Sequence, residues 1–199
     1  MNTPASPDNT PLPRSPELMS ADDTALLVVD VQGKLVTLIP GHKRLVWNIR
    51  RLIDGADALG VAKGATEQYP QGLGPTVPEL AGKFTSIPAK TAFSCGECGG
   101  LFRGWSERGI RKVLLAGIEA HVCVQQTAFD LMMHGFRVYL AVDALGSRAD
   151  VDYQTALRRM DSAGATLTTV ESALFEWCGR SGTPQFKQIS ALVKETAPE

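Results

Sequence analysis

Residues 113–131 read "VLLAGIEAHVCVQQTAFDL", and this stretch decides how the chain folds. Its first six residues carry no polar side chain, as expected of a parallel strand buried on both faces. From Val122 onward, Val124, Ala128, Leu131 and Met132 recur at helical spacing, predicting a helix over about 122–134. A strand that passes directly into a helix is the building unit of an α/β sheet. Cys123 stands at the joint. Cysteine is usually a small core residue, so its position asks whether it packs or reacts.

The same alternation extends in both directions. "ALLVVDV" (25–31) is a nearly continuous apolar run, and 43–59 places Leu45, Ile49, Leu52, Ile53, Ala56 and Leu59 on one helical stripe. "VAKGATEQ" (61–68) reads as a weaker strand. "YPQGLGPTVPEL" (69–80) reads as a Pro/Gly loop with one helical turn at its end. "FTSIPAK" (84–90) is a short extended piece, 112–118 and 136–144 are strands, 153–163 a helix, 165–170 a strand and 186–195 a terminal helix. Strands and helices in this order predict an α/β fold: three layers, α/β/α, around a mostly parallel, six-stranded, Rossmann-like sheet.

The chain has 199 residues, 44% of them hydrophobic and 21% charged, which suits a single domain with its own core. Twenty basic and 21 acidic residues leave a formal charge of -1 and are interspersed, so neither nucleic acid nor an anionic membrane is an expected partner. No apolar run of about 18 residues exists, and the N-terminus has no basic or apolar leader pattern, so a cytoplasmic protein is expected. Five of the 12 prolines fall within the first 16 residues. Residues 1–20 therefore read as a disordered or loosely docked tail, leaving 21–199 as the domain.

The four cysteines are Cys95, Cys98, Cys123 and Cys178, and in a reducing compartment they are expected as free thiols. "CGEC" (95–98) has no second Cys pair, and the three histidines, His42, His121 and His134, make no H-x-H or H-x-x-x-H spacing. An inert loop or helix start is the reading of "CGEC", with zinc binding and redox pairing as its alternatives.

A parallel sheet binds ligands at the carboxyl ends of its strands. Asp30, Glu67, Lys90 and Glu119 lie at or just beyond such ends, and Cys123 opens the helix that follows. No Gly-rich nucleotide loop and no G-x-S-x-G is present. Cysteine chemistry remains. A thiol at a helix N-terminus beside a lysine is expected to have a lowered pKa. A carboxylate in the same pocket can take the thiol proton and return it to a leaving amine, while backbone N–H groups hold an oxyanion.

"LLVVDVQ", "AKTAFS" and "LLAGIEAHVCVQQTAFDL", in this order and spacing, resemble the isochorismatase-like cysteine hydrolase family. The match runs from Ala25 to the "TPQFKQISALVK" tail, with the isochorismatase-domain branch the nearest in flavour, related to nicotinamidases and N-carbamoylsarcosine amidohydrolases. The resemblance implies the isochorismatase-like hydrolase fold and a catalytic triad of Asp30 as general base and acid, Lys90 as the neighbouring cation and Cys123 as nucleophile. It also implies a non-proline cis peptide at Ile118-Glu119, with the backbone N–H groups of Glu119 and Cys123 as an oxyanion hole. Gln32, Glu67, Phe93 and His121 are expected as walls of the substrate pocket.

Nicotinamidases of this family bind a metal through an aspartate and histidines after the second strand. Here that region is "TEQYPQGLG", without histidine, so neither metal nor cofactor is expected. Isochorismatase proper does not use the cysteine, whereas this chain retains it, which favours C–N (amide-type) hydrolysis of a small molecule through a thioester. The alternatives are a thiol-redox or electrophile-scavenging protein using Cys123 or the Cys95/Cys98 pair, and a catalytically silent assembly module. A homo-oligomer is implied by the resemblance and by the loop "FSCGECGGLFRGW" (93–105), which brings Phe93, Leu101, Phe102 and Trp105 to a surface segment.

Overall fold

A computed structural model describes residues 12–198. Its strands are β1 (Thr24–Val29), β2 (Ala62–Gln68), β3 (Ala89–Lys90), β4 (Lys112–Ile118), β5 (Arg137–Gly146) and β6 (Thr166–Thr168). Its helices are α1 (Gly33–Val36), α2 (His42–Leu59), α3 (Pro70–Leu73), α4 (Pro78–Ala81), α5 (Gly99–Glu107), α6 (Gln125–Met133), α7 (Asp150–Ser162), α8 (Val170–Cys178) and α9 (Pro184–Val193). A 3₁₀ turn at Cys95–Cys98 leads into α5, and a π-helical turn at Ala120–Val124 leads into α6.

The six strands form one sheet in the order β3-β2-β1-β4-β5-β6, every pairing parallel. The apolar runs explain the central position of β1 and β4, whose residues are all buried. Their side chains alternate between two cores. Leu26 and Val28 of β1 and Leu114 and Ala116 of β4 pack with α2, α8 and α9. Leu27, Val113 and Leu115 pack on the opposite face with residues of α5, α6 and α7. Each fully buried Leu contributes about 1.5–3 kcal/mol of transfer free energy. The stripe expected on α2 faces its core, and the buried Arg51 on that helix donates from Nε to Leu192 O (2.9 Å) near the C-terminal end of α9, tying the last helix down.

The chain leaves β1 toward β2 on one side and reaches β4 on the other, so the strand order reverses between β1 and β4. In open α/β sheets the crevice at such a reversal is where ligands bind. Close approach there requires a glycine. Gly117 of β4 has φ +124°, and a Cβ at this position would lie 2.2 Å from Val29 O of β1.

Several expectations change. The segment 93–105 is not an exposed apolar loop: α5 turns Phe102 and Trp105 into the core, where Phe102 meets Trp105 and Phe136 edge to face. Its glycines had masked the helical spacing of Leu101, Phe102 and Trp105. The strand expected over 165–170 stops at Thr168, because the Thr169 hydroxyl caps α8 by accepting from Ser172 N. Of the tail expected over 1–20, residues 1–11 lie outside the described residues, while residues 14–18, though exposed, are hydrogen-bonded to the fold and Met19 is buried in it. Met19 is fully buried and donates from its backbone to Glu176 Oε2 (2.8 Å), Tyr139 Oη donates to Glu17 O (2.6 Å) and Lys112 Nζ donates to Leu18 O (2.7 Å). Among the described residues no helix is long and apolar enough to cross a membrane.

Candidate active site

Where β1 ends, the chain turns sharply. Asp30 adopts φ 54°, a left-handed conformation rare outside glycine but tolerated by Asp, and its carbonyl accepts from Gln32 N (2.8 Å). Its own N–H donates to Thr66 O (3.2 Å), so the residue stays tied to β2. The carboxylate is completely buried and both oxygens are engaged. Oδ2 accepts from Lys90 Nζ at 2.7 Å, and Oδ1 accepts from the Thr66 hydroxyl at 2.8 Å.

Lys90 reaches this point from the short edge strand β3, across β2. Its ammonium also donates to Gln68 Oε1 (2.7 Å), Phe93 O (2.9 Å) and Ala92 O (3.3 Å). Four acceptors thus surround three protons, and the charge is held in one place. Burial works against the charged amine, but the Asp30 charge beside it and the neighbouring thiols outweigh this, so the Lys90 pKa lies above its ordinary value. The carbonyls that hold Lys90 are in turn fixed by "CGEC": the Glu97 carboxylate accepts from Thr91 N (2.8 Å) and Ala92 N (2.6 Å).

Gln68 fills the space between the cation and the thiol. Its Nε2 donates to Thr91 O (2.8 Å), which orients Oε1 toward Lys90, and the same oxygen lies 4.0 Å from Cys123 Sγ. Cys123 sits in the π-helical turn that follows β4, nine-tenths or more shielded. Here the expected pKa direction is corrected. Burial, and after it the Asp30 charge, pushes the Cys123 thiol up, and the lowering by Lys90 does not compensate. The resting group is a neutral thiol.

The peptide Ile118-Glu119 is cis; Glu119 is the residue that precedes the π-helical turn after β4, and Cys123 lies near the end of that turn. The Glu119 carboxylate points to the rim, where Arg148 Nε donates to it at 2.7 Å. His121 engages Ser147 Oγ through Nδ1 (3.0 Å) and lies 3.8 Å from Asp152 through Nε2. Phe93 contributes its carbonyl to Lys90 while its ring stays half exposed. Gln32 and Glu67 are not brought to the thiol. Gln32 clamps the Gln68 backbone, donating to Gln68 O (2.9 Å) and accepting from Gln68 N (2.8 Å), and Glu67 accepts from Thr76 N (2.6 Å) and Thr76 Oγ1 (2.7 Å). Among the described residues, no three His, Cys, Asp or Glu side chains gather as a metal cluster.

The sequence reading missed Thr66, and it weighed Cys95 only as half of the "CGEC" pair. The signal for Thr66 and Gln68 was the two-residue period of β2, which puts both on the face opposite Glu67. For Cys95 there was no local signal. Its thiol is buried 3.3 Å from Thr66 Oγ1, and burial pushes its pKa up to about 11.

The isochorismatase domain family matches residues 24–172. Isochorismatase domain-containing protein 2 of Homo sapiens is 41% identical over 177 residues, covering 88% of this chain and 85% of that protein. A solved structure from Caenorhabditis elegans described as MAR1 ribonuclease is 38% identical with a TM-score of 0.84, over 92% of this chain and 95% of that one. The YcaC protein of Escherichia coli, described as an octameric hydrolase of unknown specificity, shares the fold at 24% identity and a TM-score of 0.80, over 90% of this chain and 92% of that one.

Proposed function

The chain belongs to the isochorismatase family of hydrolases, and from that premise we propose that it cleaves a C–N (amide-type) bond of a small molecule through a thioester on Cys123. One observation carries the reading: a neutral thiol lies beside a buried, fully bonded Asp30–Lys90 ion pair at the reversal point of the sheet. Asp30 takes the Cys123 proton as sulfur attacks the carbonyl carbon. Lys90 stays charged and stabilises the thiolate as it forms, so the proton transfer costs less than ionisation into solvent. The backbone N–H groups of Glu119 and Cys123 hold the oxyanion. Asp30 returns its proton to the leaving nitrogen, then takes one from the water that hydrolyses the thioester and hands it to the departing Cys123 sulfur.

The burial of all three groups favours a small substrate. A ribonuclease activity, suggested by the description of the Caenorhabditis elegans relative, is disfavoured because Asp30, Lys90 and Cys123 are at most 5% exposed, out of reach of a polymer's phosphate. A redox role for Cys95 is disfavoured too, since its side chain is wholly shielded and its thiol meets only the Thr66 hydroxyl, with no carboxylate in hydrogen-bond contact to take its proton. Self-association belongs to the same reading. The Escherichia coli fold relative is described as octameric, and Tyr69 and Phe93, on the segments flanking Lys90, expose about half of their surface.

The test is a panel of small amides and carbamoyl compounds, with acyl adducts trapped by acid quench and located by mass spectrometry. An adduct on Cys123, absent from Cys123→Ala, is the expected result. Turnover surviving in Cys123→Ala, or cleavage of a labelled RNA oligonucleotide in place of any amide, overturns the proposal. Light scattering at micromolar concentration checks assembly, and a monomeric mass removes that part.

A further inference from the structure

Cys95 has no part in the chemistry above, yet it is fully buried one hydroxyl away from Asp30. Thr66 has a single hydroxyl hydrogen, and its 2.8 Å bond to Asp30 Oδ1 uses it. At the 3.3 Å contact between Thr66 Oγ1 and Cys95 Sγ, the thiol is therefore the donor at rest. The chain runs from Cys95 S–H to Thr66 O–H to the carboxylate. Both ends are fixed from outside: Cys95 N donates to Thr127 Oγ1 of α6 (2.9 Å), and Asp30 Oδ2 accepts from Lys90 Nζ (2.7 Å).

When Asp30 takes a proton, its two oxygens are not equivalent. Oδ2 faces the charged Lys90 donor, and a proton there would oppose one donor to another. Oδ1 faces only a neutral hydroxyl, which can rotate. Protonated at Oδ1, Asp30 donates to Thr66 Oγ1, and Thr66 then donates to Cys95 Sγ, which has become the acceptor. Each of the three side chains keeps a partner in both states, and only the weakly donating S–H of Cys95 gives up its acceptor. The only bond to hydrogen that changes hands is the S–H of Cys123, whose proton goes to Asp30 Oδ1 and onward to the leaving nitrogen.

We propose that Thr66 and Cys95 form a reversible hydrogen-bond relay that supports Asp30 in both of its protonation states, making them positioning residues for the reaction of Cys123. The proposal rests on the reading of Asp30 as acceptor of the Cys123 proton. The other titratable groups facing the relay are Lys90 from β3 and Cys123 from the turn after β4, with Cys98 and Glu97 farther along the 3₁₀ turn. A serine at position 95 can donate and accept; an alanine can do neither.

The experiment follows carbamidomethylation of Cys123 by iodoacetamide, read by mass spectrometry of its peptide from pH 6 to 10.5, in the full chain. Cys95→Ala and Thr66→Val are expected to label about five- to tenfold more slowly at pH 7, because the protonated Asp30 state leaves a buried donor unmatched. Cys95→Ser and Thr66→Ser stay within about twofold of wild type. The gap closes toward alkaline pH, where hydroxide takes the proton and Asp30 is not needed. Wild-type labelling by Cys95→Ala at pH 7, or equal slowing by Cys95→Ser and Cys95→Ala, overturns the relay; the second result marks a packing role. If Thr66→Val does not fold, the Cys95 pair decides alone. Asp30→Asn separates the two readings through the acyl adduct trapped on Cys123 by acid quench: an adduct formed at the wild-type rate means that Asp30 is not the base and the relay falls with it, whereas an adduct lost in Asp30→Asn with wild-type labelling by Cys95→Ala removes the relay only.

Discussion

Lys90 Nζ stands 2.7 Å from Asp30 Oδ2 with both side chains wholly shielded from solvent. Two charges taken out of water cost several kcal/mol each, and their attraction repays this only with good geometry and further hydrogen bonds. This pair has them, in Thr66, Gln68 and the carbonyls of Phe93 and Ala92. A hydrophobic pair of similar volume would serve stability as well, so the pair is a chemical feature rather than a folding one.

Removing one partner strands the other charge. Asp30→Asn and Lys90→Met are each expected to lower unfolding free energy by about 3–5 kcal/mol. The double variant, with no stranded charge, is expected to recover most of that loss while remaining inactive. Urea unfolding of the two single variants and the double checks it. Additive losses in the double variant would show that the two residues act independently of each other.

Gln68 supplies a neutral oxygen to Lys90 while facing Cys123 Sγ at 4.0 Å. Gln68→Glu keeps the shape and adds a negative charge at that spot, which disfavours the thiolate. Labelling of Cys123 at pH 7.5 is expected to fall about tenfold, with the pH profile displaced to higher pH. An unchanged profile would mean that the carboxamide does not face the reacting sulfur.

Stability is expected to fall at alkaline pH. The Cys95 thiol is held neutral to about pH 11 in the fold, while in the unfolded chain it ionises around its ordinary value of 9.0. Raised thiol pKa values leave stability flat below pH 9 and remove it as pH rises, by about 1.4 kcal/mol per pH unit for each thiol. Cys123 and Lys90 act in the same direction, Lys90 contributing stability that is present below 10.5 and lost as pH rises through its folded value. For Cys95 alone the loss is about 3 kcal/mol by pH 11. Urea midpoints at pH 7.5 and 10.5 measure the slope, and it should be shallower in Cys95→Ala than in wild type.

Deleting residues 1–20 removes Met19, which is fully buried in the core, together with the bonds that Glu176, Tyr139 and Lys112 make to the segment. Met19→Ala alone is expected to cost about 2–5 kcal/mol. The deletion should cost at least as much, and a melting temperature equal to that of the full chain would contradict the docking.

The layered fold, the parallel strands 25–31 and 112–118, the long helix after β1 and the gathering of Asp30, Lys90 and Cys123 at one sheet edge were legible in the sequence, because periodicity and strand ends are local properties of the chain. What the sequence could not decide was set by atoms arriving from distant segments. The thiol of Cys123 moved up rather than down in pKa because the packed cores remove water and leave the Asp30 charge little screened, which neither a helix start nor a strand end reveals. Phe102 and Trp105 passed from a supposed surface to the core because α5 folds back on β4 and α6. Cys95, silent in sequence, lies beside Asp30 only because a turn after β3 and a hydroxyl on β2 meet there. Hydrogen-bond partnership and desolvation depend on three-dimensional neighbours, and those were fixed by the tertiary structure alone.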